Sequence, residues 1–218
     1  GSEMCIRDSI HIIDAELMGK GEKEKKDLYI EGVQNNGIIN HYEYIINSEG
    51  TIEIRHVLKP EGKMPLWFPR IGLTLTVSDA LDQVKWYGRG PQENYPDRKT
   101  GYPTGIYAST VQAMYEPYLM PQDYGLRTDV RWLQLTTDKG IGLQFKMNEW
   151  FNFNIYPYST DNLTKAMYTY QLQKQKGMTL NLDYATTGVG CTARGVFGAY
   201  KAMPQEYRRT ISIKPMMK

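Results

Sequence analysis

The sequence predicts an all-β protein, a sandwich or a barrel rather than a parallel sheet. Aromatic residues make up 12% of the 218 residues, with 17 tyrosines, and such side chains favour half-buried, pleated surfaces. Turn residues divide the chain into about ten short β-rich runs. No stretch of about a dozen residues keeps a helical period without an interrupting Gly or Pro, whereas parallel strands need long crossovers that are usually helical.

The predicted strands begin with two β-rich runs, residues 38–46 and 51–58. The turn-forming residues Asn47-Ser48-Glu49-Gly50 join them into a hairpin. Further strands are predicted over residues 71–77, 83–87, 130–136, 141–147, 151–156, 166–172, 178–184 and 208–213. Hairpin signals also stand at Lys139-Gly140 and Lys176-Gly177. The best helical candidate is short, Thr160 to Lys165.

The chain is predicted to form one domain over residues 10–218, without internal repeats or a low-complexity linker. Gly1 to Ser9 fits no period and starts with Gly-Ser, as a cloning leader does. The net charge is only +2, which disfavours a nucleic-acid partner. No apolar run approaches the roughly 18 residues that cross a bilayer, and we expect a soluble chain without a membrane partner.

The densest polar stretch is the loop of residues 86–98, called the polar loop below. After two glycines and a proline it presents Glu93, Asn94, Asp97 and Arg98 together. Two interpretations remain open. Either these groups are fixed donors and acceptors for a sugar, or they form a buried polar knot in which Arg98 or Arg89 pairs with Glu93 or Asp97, because buried charges need partners.

A second polar group is predicted at the start of the strand near residue 127. Alternate residues of a strand share one face, so Arg127, Asp129 and Arg131 are expected to form a charged row. Trp132 is expected to point the other way, into a core. The row suits sugar hydroxyls or a partner domain, and a cross-strand salt network fits it equally well.

The third stretch is Thr186 to Gly195, called the small-residue loop below, which contains Cys191. The other cysteine is Cys5, and this pair matches neither a disulfide framework nor a metal-binding spacing. All three histidines lie early in the chain: His11, His41 and His56. Because no base is placed beside Cys191, we expect a buried or half-buried thiol, no catalytic residue and no metal site.

Several strings occur in one order and at one spacing: Pro69-Arg70-Ile71-Gly72-Leu73, Gly90-Pro91-Gln92-Glu93-Asn94-Tyr95-Pro96-Asp97-Arg98, Tyr115-Glu116-Pro117-Tyr118, Gly125-Leu126-Arg127, Leu180-Asn181-Leu182-Asp183 and Gly188-Val189-Gly190. Together they closely resemble the C-terminal region of bacterial beta-galactosidases of glycoside hydrolase family two, known as the small chain or domain 5. The resemblance covers about residues 10 to 215.

The resemblance implies a large antiparallel β-sandwich of the galactose-mutarotase-like kind, the supersandwich. Family members hydrolyse terminal beta-D-galactosides with two glutamates about 5 Å apart. Both belong to an upstream barrel, so the resemblance implies a chain that is inactive alone, needs no cofactor, packs on the barrel and helps shape the sugar pocket. The family's early Arg-Ala-Pro and Asp-Asn-Asp patterns are absent from these residues. We therefore expect that N-terminal strands of the sandwich are missing and that the exposed edge either promotes self-association or is covered by residues 1 to 20 folding back.

The resemblance also implies a substrate-pocket role for the small-residue loop, where some members place a tryptophan under the sugar. Its ungapped counterpart is Gly195, and candidate contacts are Cys191, Thr192, Arg194, Val196 and Phe197. The partners implied are the remaining domains and the galactoside, in the bacterial cytoplasm or periplasm. One alternative is a stand-alone sugar-binding module that uses Trp67, Trp86, Trp132 or Trp150 as platforms. Another is a mutarotase-like epimerase, although the mutarotases use a His and a Glu and no His follows His56.

Overall fold

The structure is a computed structural model that describes residues 36–191 and 195–217. It confirms the predicted all-β class, because the described residues are mostly antiparallel sheet. The strands are β1 Asn36–Ile46, β2 Ile52–Gly62, β3 Arg70–Val77, β4 Gln83–Arg89, β5 Thr104–Thr110, β6 Arg127–Thr136, β7 Gly142–Tyr156, β8 Met178–Thr186 and β9 Tyr207–Met216. One helix, α1 Thr160–Lys165, and 3-10 turns at Gln112–Met114, Thr169–Gln171 and Gly198–Tyr200 complete this part of the chain. The leader of residues 1–9 and the predicted start of the domain lie outside the described residues.

All the strand pairs are antiparallel, and the sheet branches along β7. The main path runs β1-β2-β9-β7-β6-β4-β5. The first half of β7 pairs with β9 through residues 142–147, and its second half pairs with β8 through residues 152–156. β8 in turn pairs with β3. The branching produces the open, sandwich-like sheet that the sequence predicted.

The main core is one cluster of buried apolar side chains, to which most of the strands contribute. Its largest fully buried apolar side chains include Trp86, Phe145, Phe151, Phe153, Leu58, Leu73 and Leu133. The first seven residues of β8 are buried on both faces of the strand. One face carries Leu180 and Leu182, and the other carries Asn181 and Asp183. The second face must therefore satisfy its polar groups inside the protein, which it does through β3 and β7.

Two local predictions are confirmed by the hydrogen bonds that form them. The Asn47 side-chain oxygen accepts from the amides of Glu49 and Thr51, each at 3.0 Å, and closes the β1–β2 hairpin. Helix α1 spans the predicted residues, and the Ser159 hydroxyl caps it by accepting from the Asn162 amide at 3.1 Å. Both signals are local, which is why the sequence displays them.

Two predictions about strands are wrong, and one strand was not predicted. Residues 166–172 form no strand but a 3-10 turn, because the Gln171 side chain accepts from the amides of Met167 and Tyr168. The separate strands predicted over 141–147 and 151–156 are one strand, β7. Strand β5 was not predicted, since it stands at the end of the strand order and has few apolar residues.

Among the described residues, no helix is long and apolar enough to cross a membrane.

Candidate functional site

The polar loop and the small-residue loop lie against each other, and Asp97 joins them. The Asp97 Oδ1 atom accepts from the amide of Val189 at 3.1 Å, and Oδ2 accepts from the amide of Gly190 at 2.7 Å. A Cβ atom on Gly188 would stand 2.3 Å from Cγ of Asp97. Two stretches that lie far apart in the sequence are therefore in direct contact.

Glu93 is held inside the polar loop by donors from three residues. Its carboxylate accepts from the Gly125 amide at 2.8 Å and from the Tyr95 hydroxyl at 3.1 Å. The Tyr118 hydroxyl donates to its other oxygen. Burial and the neighbouring Glu93 carboxylate raise the pKa of both tyrosines well above the usual range. These bonds favour the interpretation of Glu93 as a structural group.

Asn94 ties the polar loop to the start of β6. Its side chain is fully buried, and Oδ1 accepts from the Thr128 amide at 3.1 Å and from the Thr128 hydroxyl at 2.5 Å. The Asn94 amide donates to the carbonyl of Leu126 at 2.8 Å. The loop therefore has a side-chain anchor in the interior of the protein.

Arg127 is a buried cation next to the same anchor. Nε donates to the carbonyl of Pro91 at 3.0 Å and Nη1 to the carbonyl of Gly125 at 2.8 Å. The guanidinium carbon lies 5.5 Å from the ring centroid of Trp86. Burial lowers the pKa of Arg127 to about 10, with Glu116 acting in the opposite direction.

The ion pairs predicted within the polar loop, of Arg98 or Arg89 with Glu93 or Asp97, are wrong because the partners differ. Arg89 pairs with Asp129, with Nε 2.6 Å from Oδ2, and Lys99 Nζ lies 2.6 Å from the other oxygen of Asp129. Burial alone would raise the pKa of Asp129, but the hydrogen bonds from Lys99 and Arg89 outweigh burial and lower it. Arg98 is exposed, and its amide donates to the Tyr95 carbonyl at 2.8 Å. Arg98 is therefore not the buried charge that was expected.

The predicted charged row on β6 is also wrong, because the strand bulges. Its register against β7 shifts twice between Arg127 and Trp132, and Asp129 has a φ of 54°. Arg131 consequently lies over the rings of Tyr87 and Trp150, at 4.9 and 4.1 Å from their centroids. Trp132 is half-buried opposite Tyr87 rather than in the core.

The small-residue loop is attached at its base as well as through Asp97. The Thr187 hydroxyl donates to the Phe68 carbonyl at 2.6 Å, and the Gly188 amide donates to the Tyr200 carbonyl at 2.8 Å. Cys191 is exposed, contrary to the expected buried or half-buried thiol. Phe197, beyond the loop, has 65% of its surface exposed. Val196 is half-buried, and the remaining candidate contacts, Thr192 and Arg194, lie outside the described residues.

Sequence reasoning missed a polar network between β3, β7 and β8. Arg70 Nη2 lies 2.7 Å from Asp183 Oδ2, and Arg70 Nη1 lies 3.3 Å from Asp123 Oδ2. Asn154 donates to Asp123 at 2.8 Å, and Asn181 donates to Asn154 at 2.8 Å. Burial raises the pKa of Asp183, while Arg70 acts to lower it. The alternation of Leu180-Asn181-Leu182-Asp183 was the signal that could have revealed this network.

His56 has a structural environment. Its Nδ1 atom lies 2.7 Å from the Tyr184 hydroxyl and its Nε2 atom lies 3.0 Å from Asn40 Oδ1. The ring stacks on Tyr42 with a centroid distance of 4.1 Å. Burial lowers the pKa of His56 to about 4. Residues 36–191 and 195–217 contain no cluster of His, Cys, Asp and Glu that could hold a metal ion.

The tryptophans proposed as sugar platforms have different environments. Trp86 is buried in the core, with 1% of its surface exposed, and cannot stack on a sugar. Lys201 Nζ lies 5.4 Å from the ring centroid of Trp67. Trp150 is 60% exposed, but the Arg131 guanidinium lies over its ring. These contacts weaken the platform interpretation.

Comparison with known proteins gives a consistent result. The family model described as "Beta galactosidase small chain" matches residues 11–213. A protein of Priestia megaterium named beta-galactosidase is 38% identical over 147 residues, which are 67% of this chain and 14% of the relative. A beta-galactosidase of Vibrio cholerae is 39% identical over 122 residues, 56% of this chain and 11% of the relative. One of Psychromonas ingrahamii is 33% identical over 154 residues, 70% and 14% respectively. The chain thus spans a small part of the length of these relatives.

Proposed function

The chain belongs to the beta-galactosidase small-chain family, and from this membership we propose that it is a non-catalytic β-sandwich domain of a beta-galactosidase. In this proposal the domain packs on a catalytic barrel encoded elsewhere in a longer protein. The relatives support the proposal, because the matched region is only 14% of the length of the Priestia megaterium protein. The remaining length leaves ample room for a barrel.

The contact of the two loops through Asp97 is the observation that carries the pocket-wall part of the proposal. The polar loop is fixed to the sheet, and both Cys191 in the small-residue loop and Phe197 just beyond it are exposed. Ligand pockets occur preferentially at domain interfaces, so an edge that is held in place yet open to solvent can supply one wall of such a pocket. We infer that this edge forms one wall of the galactoside pocket.

The carboxylates around the two loops have other tasks. Retaining glycosidases need two carboxyl groups about 5 Å apart, one of which must be free to attack the sugar. Here Glu93 accepts bonds from three residues, Asp97 from two amides, and Asp129 from Arg89 and Lys99. Because these carboxylates are already engaged in hydrogen bonds and ion pairs within the domain, we infer a role in shaping the pocket rather than in bond cleavage.

The test is kinetic and uses the full-length parent enzyme. We expect Phe197→Ala to raise the KM for an aryl beta-galactoside several-fold while the thermal unfolding midpoint stays unchanged, because the exposed ring contributes little to folding. Ile106→Ala, an exposed apolar position on β5, is the matched control. Equal KM values for the parent and Phe197→Ala would contradict the pocket-wall role. In the same assay the isolated 218-residue chain should show no turnover above background.

A further inference from the structure

We propose that Asp97 is the positioning residue for residues 188–190 of the small-residue loop, so that the polar loop determines the position of this segment. The catalytic consequence of this role rests on the proposed function. The structural part does not, because it concerns only contacts within the described chain. The two parts can therefore be tested separately.

The Asp97 carboxylate uses both oxygens on two consecutive amides of the loop. The distances are 3.1 Å from the Val189 nitrogen to Oδ1 and 2.7 Å from the Gly190 nitrogen to Oδ2. Hydrogen bonds to an ionised acceptor are shorter and stronger than neutral ones. An asparagine offers only one oxygen and would turn an NH₂ group toward the other amide. The geometry thus specifies a carboxylate at this position.

The loop backbone is shaped to receive that carboxylate. Gly188 lies so close to Asp97 that a Cβ atom would stand 2.3 Å from Cγ and 2.4 Å from Oδ2. Gly190 has a φ of 65°, a conformation that side chains rarely adopt. A glycine at each position allows the chain to turn around the acid. Any side chain at 188 would expel the carboxyl group from its place.

Asp97 can position the loop because its own segment is fixed. Three residues earlier, the buried Asn94 is bonded to Thr128 at the start of β6. One residue later, the amide of Arg98 donates to the Tyr95 carbonyl at 2.8 Å. The position of the Asp97 carboxylate is therefore fixed relative to the sheet. Residues 189 and 190 lie beyond the end of β8, and their hydrogen bonds to Asp97 fix them relative to the sheet as well.

The structural test uses the exposed thiol of Cys191 as a reporter in the 218-residue chain. Cys5→Ser removes the other cysteine, and a nitroxide label on Cys191 then reports loop motion by electron paramagnetic resonance. We expect Asp97→Asn and Gly188→Ala each to give a more mobile spectrum than the parent. Asp79→Asn, the same chemical change at an exposed position, should leave the spectrum unchanged. A parent-like spectrum for Asp97→Asn would overturn the proposal.

A second measurement needs no variant and so does not depend on how a variant folds. In the unmodified chain, hydrogen exchange of the Val189 and Gly190 amides should be protected, because each donates to Asp97. Exchange of both amides at the rate of a free peptide would refute the positioning role. Slow exchange of both would support it.

The catalytic part is measured in the full-length parent enzyme. We expect Asp97→Asn to lower kcat/KM for an aryl beta-galactoside about tenfold, mainly through KM, since a displaced wall misplaces the substrate. Asp79→Asn should retain the parent kinetics. A mobile label combined with unchanged kinetics would leave the positioning role intact and contradict the proposed pocket wall. A label on Cys191 that is no more mobile in Asp97→Asn than in the parent would contradict the positioning role itself.

Discussion

The polar loop and the small-residue loop touch each other, but they are held by different means. The polar loop sends side chains inward, where Glu93 and Asn94 bond to backbone and hydroxyl donors. The small-residue loop offers mainly backbone amides, and Asp97 comes from outside it to bind them. A loop of the second kind can vary its exposed side chains without disturbing the sheet. The polar loop is therefore an anchoring loop, which bonds to the interior through its own side chains. The small-residue loop is a presented loop, which is held by a side chain from outside it.

The largest effect is expected from breaking the anchor of the polar loop. Asn94→Ala leaves the buried amide and hydroxyl of Thr128 without their acceptor, which should cost roughly 3 to 4 kcal/mol of unfolding free energy. Urea unfolding measures this difference. Gln92→Ala, an exposed position in the same loop, is the control. Equal losses in the two variants would mean that the loop has no such anchor.

Acid is expected to destabilise the sheet through His56, which lies in β2 and in neither loop. The folded-state pKa of His56, about 4, lies below the unfolded value near 6.5, so the imidazole's contribution is complete above pH 6.5 and is lost as the pH falls toward 4. We expect a loss of about 3 kcal/mol between pH 7 and pH 4. His56→Gln should show a flatter profile over this range, and parallel profiles for the two proteins would argue against a buried neutral imidazole.

A smaller effect is expected at the bulge of β6. Asp129→Asn keeps a side chain that tolerates the φ of 54° but removes the charge that binds Arg89 and Lys99. The expected cost is about 2 kcal/mol at pH 7 in chemical unfolding. Asp161→Asn breaks an exposed pair with Lys165 and should cost less than about 0.5 kcal/mol. If the two substitutions cost the same, the Asp129 pairs contribute no more than surface pairs.

The smallest effect on stability is expected from the presented loop. Asp97→Asn should change the free energy of unfolding by less than about 1 kcal/mol, because its partners are backbone amides at the surface edge of the fold. Its effect should instead appear in the motion of the loop. A loss as large as that of Asn94→Ala would remove the distinction between the two loops.

Local signals in the sequence predicted the parts of the fold that local bonds create. The turn at Asn47 and the helix that Ser159 caps are examples, and each depends on bonds within a few residues. The bulge around Asp129 was not predictable, because it arises from register shifts against β7. A strict alternation rule therefore placed Trp132 in the core and placed Arg127 in a charged row with Asp129 and Arg131.

The candidate site was predicted in pieces but not as a whole. The sequence marked the polar loop and the small-residue loop, and the family resemblance to beta-galactosidases is confirmed. The contact between Asp97 and Gly190 joins residues 93 positions apart, which no local spacing reveals. The predicted partner of Arg89 was wrong for the same reason, since its observed partner, Asp129, lies 40 positions away. Long-range pairing of polar groups is decided by tertiary structure.

The most direct test of the pocket-wall account is the reactivity of Cys191 in the full-length parent enzyme. The thiol is exposed in this chain and lies in the small-residue loop. With Cys191 as the monitored thiol, its labelling rate by a maleimide is compared with and without a saturating, non-hydrolysed thiogalactoside, and a thioglucoside serves as the control ligand. The account predicts that the thiogalactoside slows the labelling of Cys191 several-fold while the thioglucoside does not. An unchanged rate with bound thiogalactoside would contradict it.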